Sequence, residues 1–416
     1  MKKVFQKSLI AMMCSSALLL SACNDDDDKK SHQSVDSVYQ SEVKYNLDVL
    51  EDASQINVMT YLMPNVQGKS SKATALVMFP KTAQPQGGWR TVVWSHGTTG
   101  IGDSCAPSNN VLNERFEILA KSLLAAGYVI VAPDYEGLGT SGIHPYLNLE
   151  SAANSALYAV KAVQEKYKTN FSKSWMSIGQ SQGGHASLGI AEYANQNPDF
   201  KGAVATAPAS SLGYIITQVA PQAITGIEAG EITGDYPVGA SIAVYAELLA
   251  YAALTGVGIK AYDPQFNLSQ IFQDDAKLIA EKAEGTTGEN GLCLQPLMNE
   301  FMVDIAKFKQ INPSKKIMEY PGLKAGFEQD PVISKFLIEN QPATKTMNKP
   351  IYVVQGGRDT AVPYQVTAEL VRKLNEDLKS NPKVVLDIVP NATHTLAIVQ
   401  KNAEVVSFIE KNMPAK

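Results

Sequence analysis

Histidine is scarce in this chain, five residues in 416, at positions 32, 96, 144, 185 and 394. Any chemistry that needs an imidazole base therefore has few candidates. Cysteine is scarcer still, with four. None stands with a histidine at metal-ligand spacing, so neither a zinc site nor any other metal is expected. Basic charge is in deficit, with 36 Lys and Arg against 41 Asp and Glu. No basic cluster interleaved with aromatics offsets it, which argues against a nucleic-acid partner. Long apolar runs are also missing. Leu9 to Leu20 is too short to cross a bilayer comfortably, and Val238 to Leu254 is only modestly hydrophobic and interrupted by Glu247. No internal repeat is evident. The length suits one large domain carrying an insertion.

Among what is present, the N-terminus speaks first to compartment. Lys2, Lys3 and Lys7 precede the apolar run, which has the shape of a secretion signal. The run ends in Leu20-Ser21-Ala22-Cys23, similar to a bacterial lipoprotein processing box. Residues 1–22 are thus expected to be a lipoprotein signal peptide, with Cys23 lipidated and several acyl chains holding the protein in a membrane. Asn24, rather than aspartate, points to the outer membrane of the cell envelope. Residues 23–40 read as a flexible polar tether. Removing residues 1–22, which hold three lysines and no acid, leaves 33 basic against 41 acidic residues, a net charge of −8. Cys105 and Cys293 then remain. In an oxidising compartment they most simply form one disulfide, two buried free thiols being the alternative.

The most informative stretch is Gly179-Gln180-Ser181-Gln182-Gly183. An apolar strand, Trp175 to Ile178, precedes it, and a small-residue helix, Gly184 to Tyr193, follows. Strand, tight turn and helix is the setting in which a G-x-S-x-G pattern makes Ser181 a nucleophile. Residues at 179 and 183 must lack a Cβ there, or they would collide with the neighbouring strand and helix. A serine hydroxyl also needs a base, and that base needs an acid to orient it. His32 lies in the polar tail, His144 in a proline-containing loop, and His185 one turn beyond Ser181 along the same helix. His394 follows the run Val384 to Pro390, on a loop before the last helix, and is the expected base. The acid should follow a strand between serine and histidine in chain order. Asp359, in the turn after Ile351 to Val354, fits; Asp387 lies inside a strand. The oxyanion donors are expected to be the amides of Gln182 and Thr98, with His96-Gly97 letting the backbone turn closely over the site. His96 reads as a support for that loop. Gly102-Asp103-Ser104 also has the look of a flat-site GDS nucleophile block, but Asn391 stands where such enzymes carry an aspartate.

Taken in order, the elbow, His96-Gly97-Thr98, Asp134-Tyr135-Glu136-Gly137-Leu138-Gly139 with His144-Pro145-Tyr146, and Gln355-Gly356-Gly357-Arg358-Asp359 with Val362-Pro363 resemble the secretory lipase family of α/β-hydrolases. That family includes lipase A types and related bacterial esterases. The likeness runs from about residue 70 to the C-terminus and is weakest between about 210 and 345.

The coarse alternation agrees. Strands are expected at 75–79, 91–95, 128–132, 175–178, 202–206, 351–354 and 384–389, and helices at 113–126, 151–167, 184–193, 364–378 and 395–411. Near-continuous apolar strands between amphipathic helices imply a mostly parallel sheet flanked by helices. Between 210 and 345 the strand signal disappears, leaving helical runs at 238–254, 274–283 and 297–311. The expected organisation is an α/β-hydrolase core over 41–209 and 346–416, with a helical cap, 210–345, inserted after the sixth strand. The expected function is a lipase or esterase acting on a small-molecule ester or lipid without a cofactor. An exported peptidase of the same fold and a non-catalytic lipid-binding lipoprotein are the rivals.

Overall fold

The computed structural model describes residues 37–415. The signal segment 1–22, Cys23 and residues 24–36 of the tether lie outside the described residues.

Five apolar runs form the heart of one sheet: β4 Trp89–Ser95, β5 Val129–Pro133, β6 Phe171–Gln180, β7 Phe200–Thr206 and β8 Ile351–Gly356. Each is buried along most or all of its length, the pattern required of strands covered on both faces. With β1 Tyr39–Lys44, β2 Ala53–Pro64, β3 Ser70–Pro80 and β9 Val385–Val389 they make nine strands in the order β1-β2-β3-β5-β4-β6-β7-β8-β9. From β5 to β9 every pairing is parallel. β1, β2 and β3 extend the sheet antiparallel beside β5.

Helices cover both faces. α1 Glu114–Ala125 is capped by Asn113, whose side chain accepts from the Arg115 amide. α2 Leu149–Tyr167 is capped in the same way by Asn148. α3 Gln182–Tyr193 leaves the elbow and is almost wholly buried. Then come the cap elements: α4 Leu212–Tyr214 running through a π turn, Ile215–Val219, into α5 Ala220–Thr233; then α6 Ala240–Lys260, α7 Asp274–Ala280, α8 Leu294–Ile311 and α9 Pro331–Glu339. α10 Tyr364–Arg372, α11 Leu396–Gln400 and α12 Asn402–Asn412 complete the core. α1, α11 and α12 pack on the face showing Val92, Trp94, Val204 and Val354. α2, α3 and α10 pack on the face showing Val93, Ala203, Ala205 and Val353.

The cap has its own apolar core, built around Tyr245, Leu249, Phe272, Phe301 and Ile305. α6 is long and apolar enough to cross a membrane, at mean hydropathy 1.7, yet 61% of its most apolar stretch is buried in the protein. It serves as the central helix of the cap.

Several expectations change. The cap follows the seventh strand rather than the sixth: five of the expected strands precede it, and β1 and β2 come before those five. β1 starts at Tyr39, inside the stretch read as tether, so the tether ends earlier than residue 40. β2 was invisible because polar Ser54, Gln55, Asn57 and Thr60 break its apolar pattern; only its second half alternates between buried and half-buried positions. The helix expected over 364–378 turns to π geometry at Lys373–Asp377. The last helix is broken at Lys401 into α11 and α12.

Candidate active site

The elbow is built by exclusion. Ser181 has φ 60° and ψ −117°, a conformation that costs a non-glycine residue about 1–3 kcal/mol. A Cβ at Gly179 would sit 2.0 Å from the Gly183 carbonyl oxygen. One at Gly183 would sit 1.8 Å from the Ser95 carbonyl oxygen at the end of β4. Strand, serine and helix can therefore close this tightly only with glycine at both positions. The Ser181 amide donates to the Thr206 carbonyl at 2.9 Å, and its carbonyl accepts from His185 and Ala209.

Ser181, Asp359 and His394, spread over 213 residues of chain, meet at the C-terminal ends of the parallel strands. His394 Nε2 lies 2.8 Å from Ser181 Oγ, and His394 Nδ1 lies 2.8 Å from Asp359 Oδ2. A carboxylate can only accept, so Nδ1 carries the proton and Nε2 is left to accept from the serine hydroxyl. The Asp359 side chain is fully buried and that of His394 is 14% exposed. Asp359 Oδ2 also accepts from Gln355 Nε2 at 2.9 Å, and Oδ1 accepts from the Ala361 and Val362 amides at 2.9 and 2.8 Å. Gln355 is itself fixed by Thr367. This neutral donor set holds a buried negative charge without a cation. The Arg358 amide donates to the Ala392 carbonyl, and Gly357 to Val389, locking the acid turn to the histidine loop.

Other sequence candidates fall elsewhere. Asp387 accepts from Tyr352 at 2.7 Å and pairs with Lys401 at 2.9 Å. Ser104 stands beside the Cys293 sulfur. His185 is buried, with Nε2 on the Asn340 carbonyl, and burial pushes its pKa down to about 4. It ties α3 to the end of α9.

The loop over the site is held from below. His96 is buried, with Nδ1 2.7 Å from the Gly97 carbonyl and Nε2 3.1 Å from that of Asp134. Burial lowers its pKa, and the two carbonyl contacts oppose that shift. Gly97 packs against Gln180 and Ser181. Thr98 Oγ1 shares a 2.8 Å hydrogen bond with Tyr146 OH. Gln182, first residue of α3, has no carbonyl one turn back to receive its amide.

Three side chains near the site were not singled out from sequence. His144 Nδ1 donates to the Glu136 carbonyl, leaving Nε2 to accept from the Gln182 side chain at 3.1 Å. Burial pushes the His144 pKa down to about 3, which keeps that nitrogen free. Tyr146 and Tyr251 come from the core loop and from α6. Only the His144-Pro145-Tyr146 segment left a trace in the sequence.

Two cavities meet at Ser181. A cleft of about 760 Å³ is lined by His394, Thr98, Trp94, Phe116, Glu247 and Tyr251, among others. A narrow pocket of about 110 Å³ runs under the cap between Leu212, Ile215, Ile216, Leu248, Ile333 and Leu337. Cys105 and Cys293 form a disulfide, Cα to Cα 5.4 Å, that joins the loop after β4 to the cap at the cleft wall. Among the described residues, no group of three or more His, Cys, Asp or Glu side chains gathers to hold a metal.

Residues 112–230 match the family model described as serine aminopeptidase, S33. A search of curated proteins finds no match. Among solved structures, the chain is similar to Candida antarctica lipase A in its closed state. Identity is 15% and the TM-score 0.65, over 90% of this chain and 82% of that one. It is also similar to a ligand-bound form of the rice cell wall degrading esterase LipA from Xanthomonas oryzae, with 19% identity and a TM-score of 0.62, over 91% and 98% of the two chains. With its strand order, its elbow at Ser181 and a fold shared over nine-tenths of its length, the chain has the α/β-hydrolase fold.

Proposed function

We propose that the protein is a serine carboxylic-ester hydrolase working through an acyl-enzyme on Ser181. The observation that carries this reading is the unbroken relay Ser181 Oγ to His394 Nε2 and His394 Nδ1 to Asp359, at the junction of two unlike cavities. His394 takes the serine proton as Oγ attacks the ester carbonyl, and Asp359 steadies the imidazolium that forms. The amides of Gln182 and Thr98 donate to the oxyanion, each contributing roughly two to three orders of magnitude in turnover. His394 then passes its proton to the leaving alcohol, and water, activated by the same ring, frees the acid.

The division of the substrate follows from the same geometry. His394 lines the cleft and not the apolar pocket, so the leaving alcohol belongs in the cleft and the acyl chain under the cap. At about 110 Å³ the pocket is smaller than the roughly 150 Å³ apolar cavity that can hold one benzene ring, which favours short acyl chains. The test is a chain-length series of p-nitrophenyl esters with the intact protein and its Ser181→Ala and His394→Ala variants. The expected result is a preference near butyrate and a loss of roughly three orders of magnitude or more in kcat for either variant. Undiminished turnover in either would refute the assignment.

A second reading, an amidase or peptidase of the same fold, is favoured by the S33 match over residues 112–230; aminoacyl amides run beside the esters separate the two. The proposed location is the bacterial cell envelope, exported and held by lipid on Cys23. The signal-like segment 1–22 supports this, as does a disulfide between the two remaining cysteines, suited to an oxidising compartment.

A further inference from the structure

α6 carries one charged residue between Ala240 and Ile259, Glu247, and that carboxylate opens into the leaving-group side of the site. A charge in the middle of an apolar cap helix is costly unless it is hydrated or partnered. Its one protein partner among the described residues is Tyr251, whose hydroxyl donates to Oε1 at 2.8 Å. No Lys or Arg stands within ion-pair distance of it among the described residues. The other charged side chains lining the cleft are Glu114 and Arg115, both exposed at its rim. The cleft thus presents two carboxylates against one guanidinium. Its walls also carry aromatic rings: Trp94 and Phe116, stacked at 5.1 Å, and Tyr251. An uncompensated carboxylate in a cleft walled partly by aromatic carbon is chemistry that suits an alkylammonium group.

We infer that Glu247 makes this cleft selective for esters whose leaving alcohol carries an alkylammonium group. The inference rests on the ester-hydrolase reading, because it assigns the cleft to the alcohol. Glu247 acts here as a specificity-determining residue. It adds attraction for a cationic leaving group and repels an anionic one, and it takes no part in proton transfer.

The test uses the intact protein with two butyrate esters of nearly identical shape, butyrylcholine and 3,3-dimethylbutyl butyrate. The wild-type kcat/KM is expected to favour the cationic ester by about five- to tenfold, the scale of attraction between partly exposed charges. That preference should shrink as salt rises from about 0.05 to about 0.5 M and screening shortens. Glu247→Gln keeps an acceptor for Tyr251 but removes the charge, and should bring the ratio close to one. Tyr251→Phe removes the hydrogen bond but keeps the charge, and should preserve the preference. An equal ratio in wild type and Glu247→Gln overturns the inference, including the case in which both esters slow together because Glu247 merely supports Tyr251. Wild-type protein that hydrolyses no ester at all would instead sink the ester-hydrolase reading on which this one stands.

Discussion

Asp134 shows how one residue can support a site it never touches. Its carboxylate is buried at the end of β5, accepting from the Ser108 amide at 2.9 Å and the Thr74 hydroxyl at 2.7 Å. Its carbonyl faces His96 under the loop after β4. Burial pushes its pKa up from 3.8 to about 6, the two hydrogen bonds offsetting only part of the desolvation. A carboxyl whose folded pKa lies above its unfolded value helps stability fully below the unfolded pKa, and that help is lost as pH rises through the folded one. The window is therefore about pH 4 to 6, and the shift corresponds to about 3 kcal/mol. An asparagine side chain would fit the same cage, its oxygen accepting from the Ser108 amide and its own amide donating to a reversed Thr74 hydroxyl. Asp134→Asn should therefore gain about 2–3 kcal/mol relative to wild type between pH 4 and pH 7, measured by denaturant unfolding across that range. A difference that stays flat with pH would contradict the picture.

The residues of the relay were legible for a different reason. With five histidines and a nucleophile fixed by its glycines, chain order and strand ends left one base and one acid to choose. His144 was passed over because its role is set by two contacts made in space, to the Glu136 carbonyl and the Gln182 side chain, and nothing in local sequence signals them.

At the scale of elements, the site is a set of loops at strand ends, and what joins them decides how firmly they stand. Between Gly100 and Cys293 a single β-bridge links the core loop to the cap, and the Leu294 amide donates to Thr99 beside it. The disulfide fastens the same seam across a separation of 188 residues. Replacing both cysteines, Cys105→Ser with Cys293→Ser, should lower stability by about 2–4 kcal/mol, seen as a drop in Tm. It should also lower kcat/KM on esters that fill the cleft, since both residues stand in its wall. Unchanged melting in the double variant would mean that the cap is held by packing alone.

Elements were legible where burial writes a simple pattern. β4 through β8 are buried on both faces and read as apolar runs. α6 was equally visible, but its exceptional residue, Glu247, was noted only as an interruption; the cleft it faces exists only once the cap closes over the sheet. β1 and β2 left no clear signal, because an antiparallel edge half open to solvent tolerates polar residues.

For the whole molecule, the sheet supplies rigidity at one end and the cap supplies an enclosed, apolar place at the other, with Ser181 between them. The core and insertion boundaries could be approached from sequence because the strand alternation stops near 210 and resumes near 350. The pocket could not, since its walls come from α4, α6, α9 and the π turn, which meet only in three dimensions. The central claim is that Ser181 is an activated nucleophile. Incubating the intact protein with a fluorophosphonate and locating the adduct by mass spectrometry tests it most directly. One adduct is expected, on the peptide holding Ser181, lost in Ser181→Ala and greatly slowed in His394→Ala; an unmodified Ser181, or an adduct on another residue, would overturn the assignment.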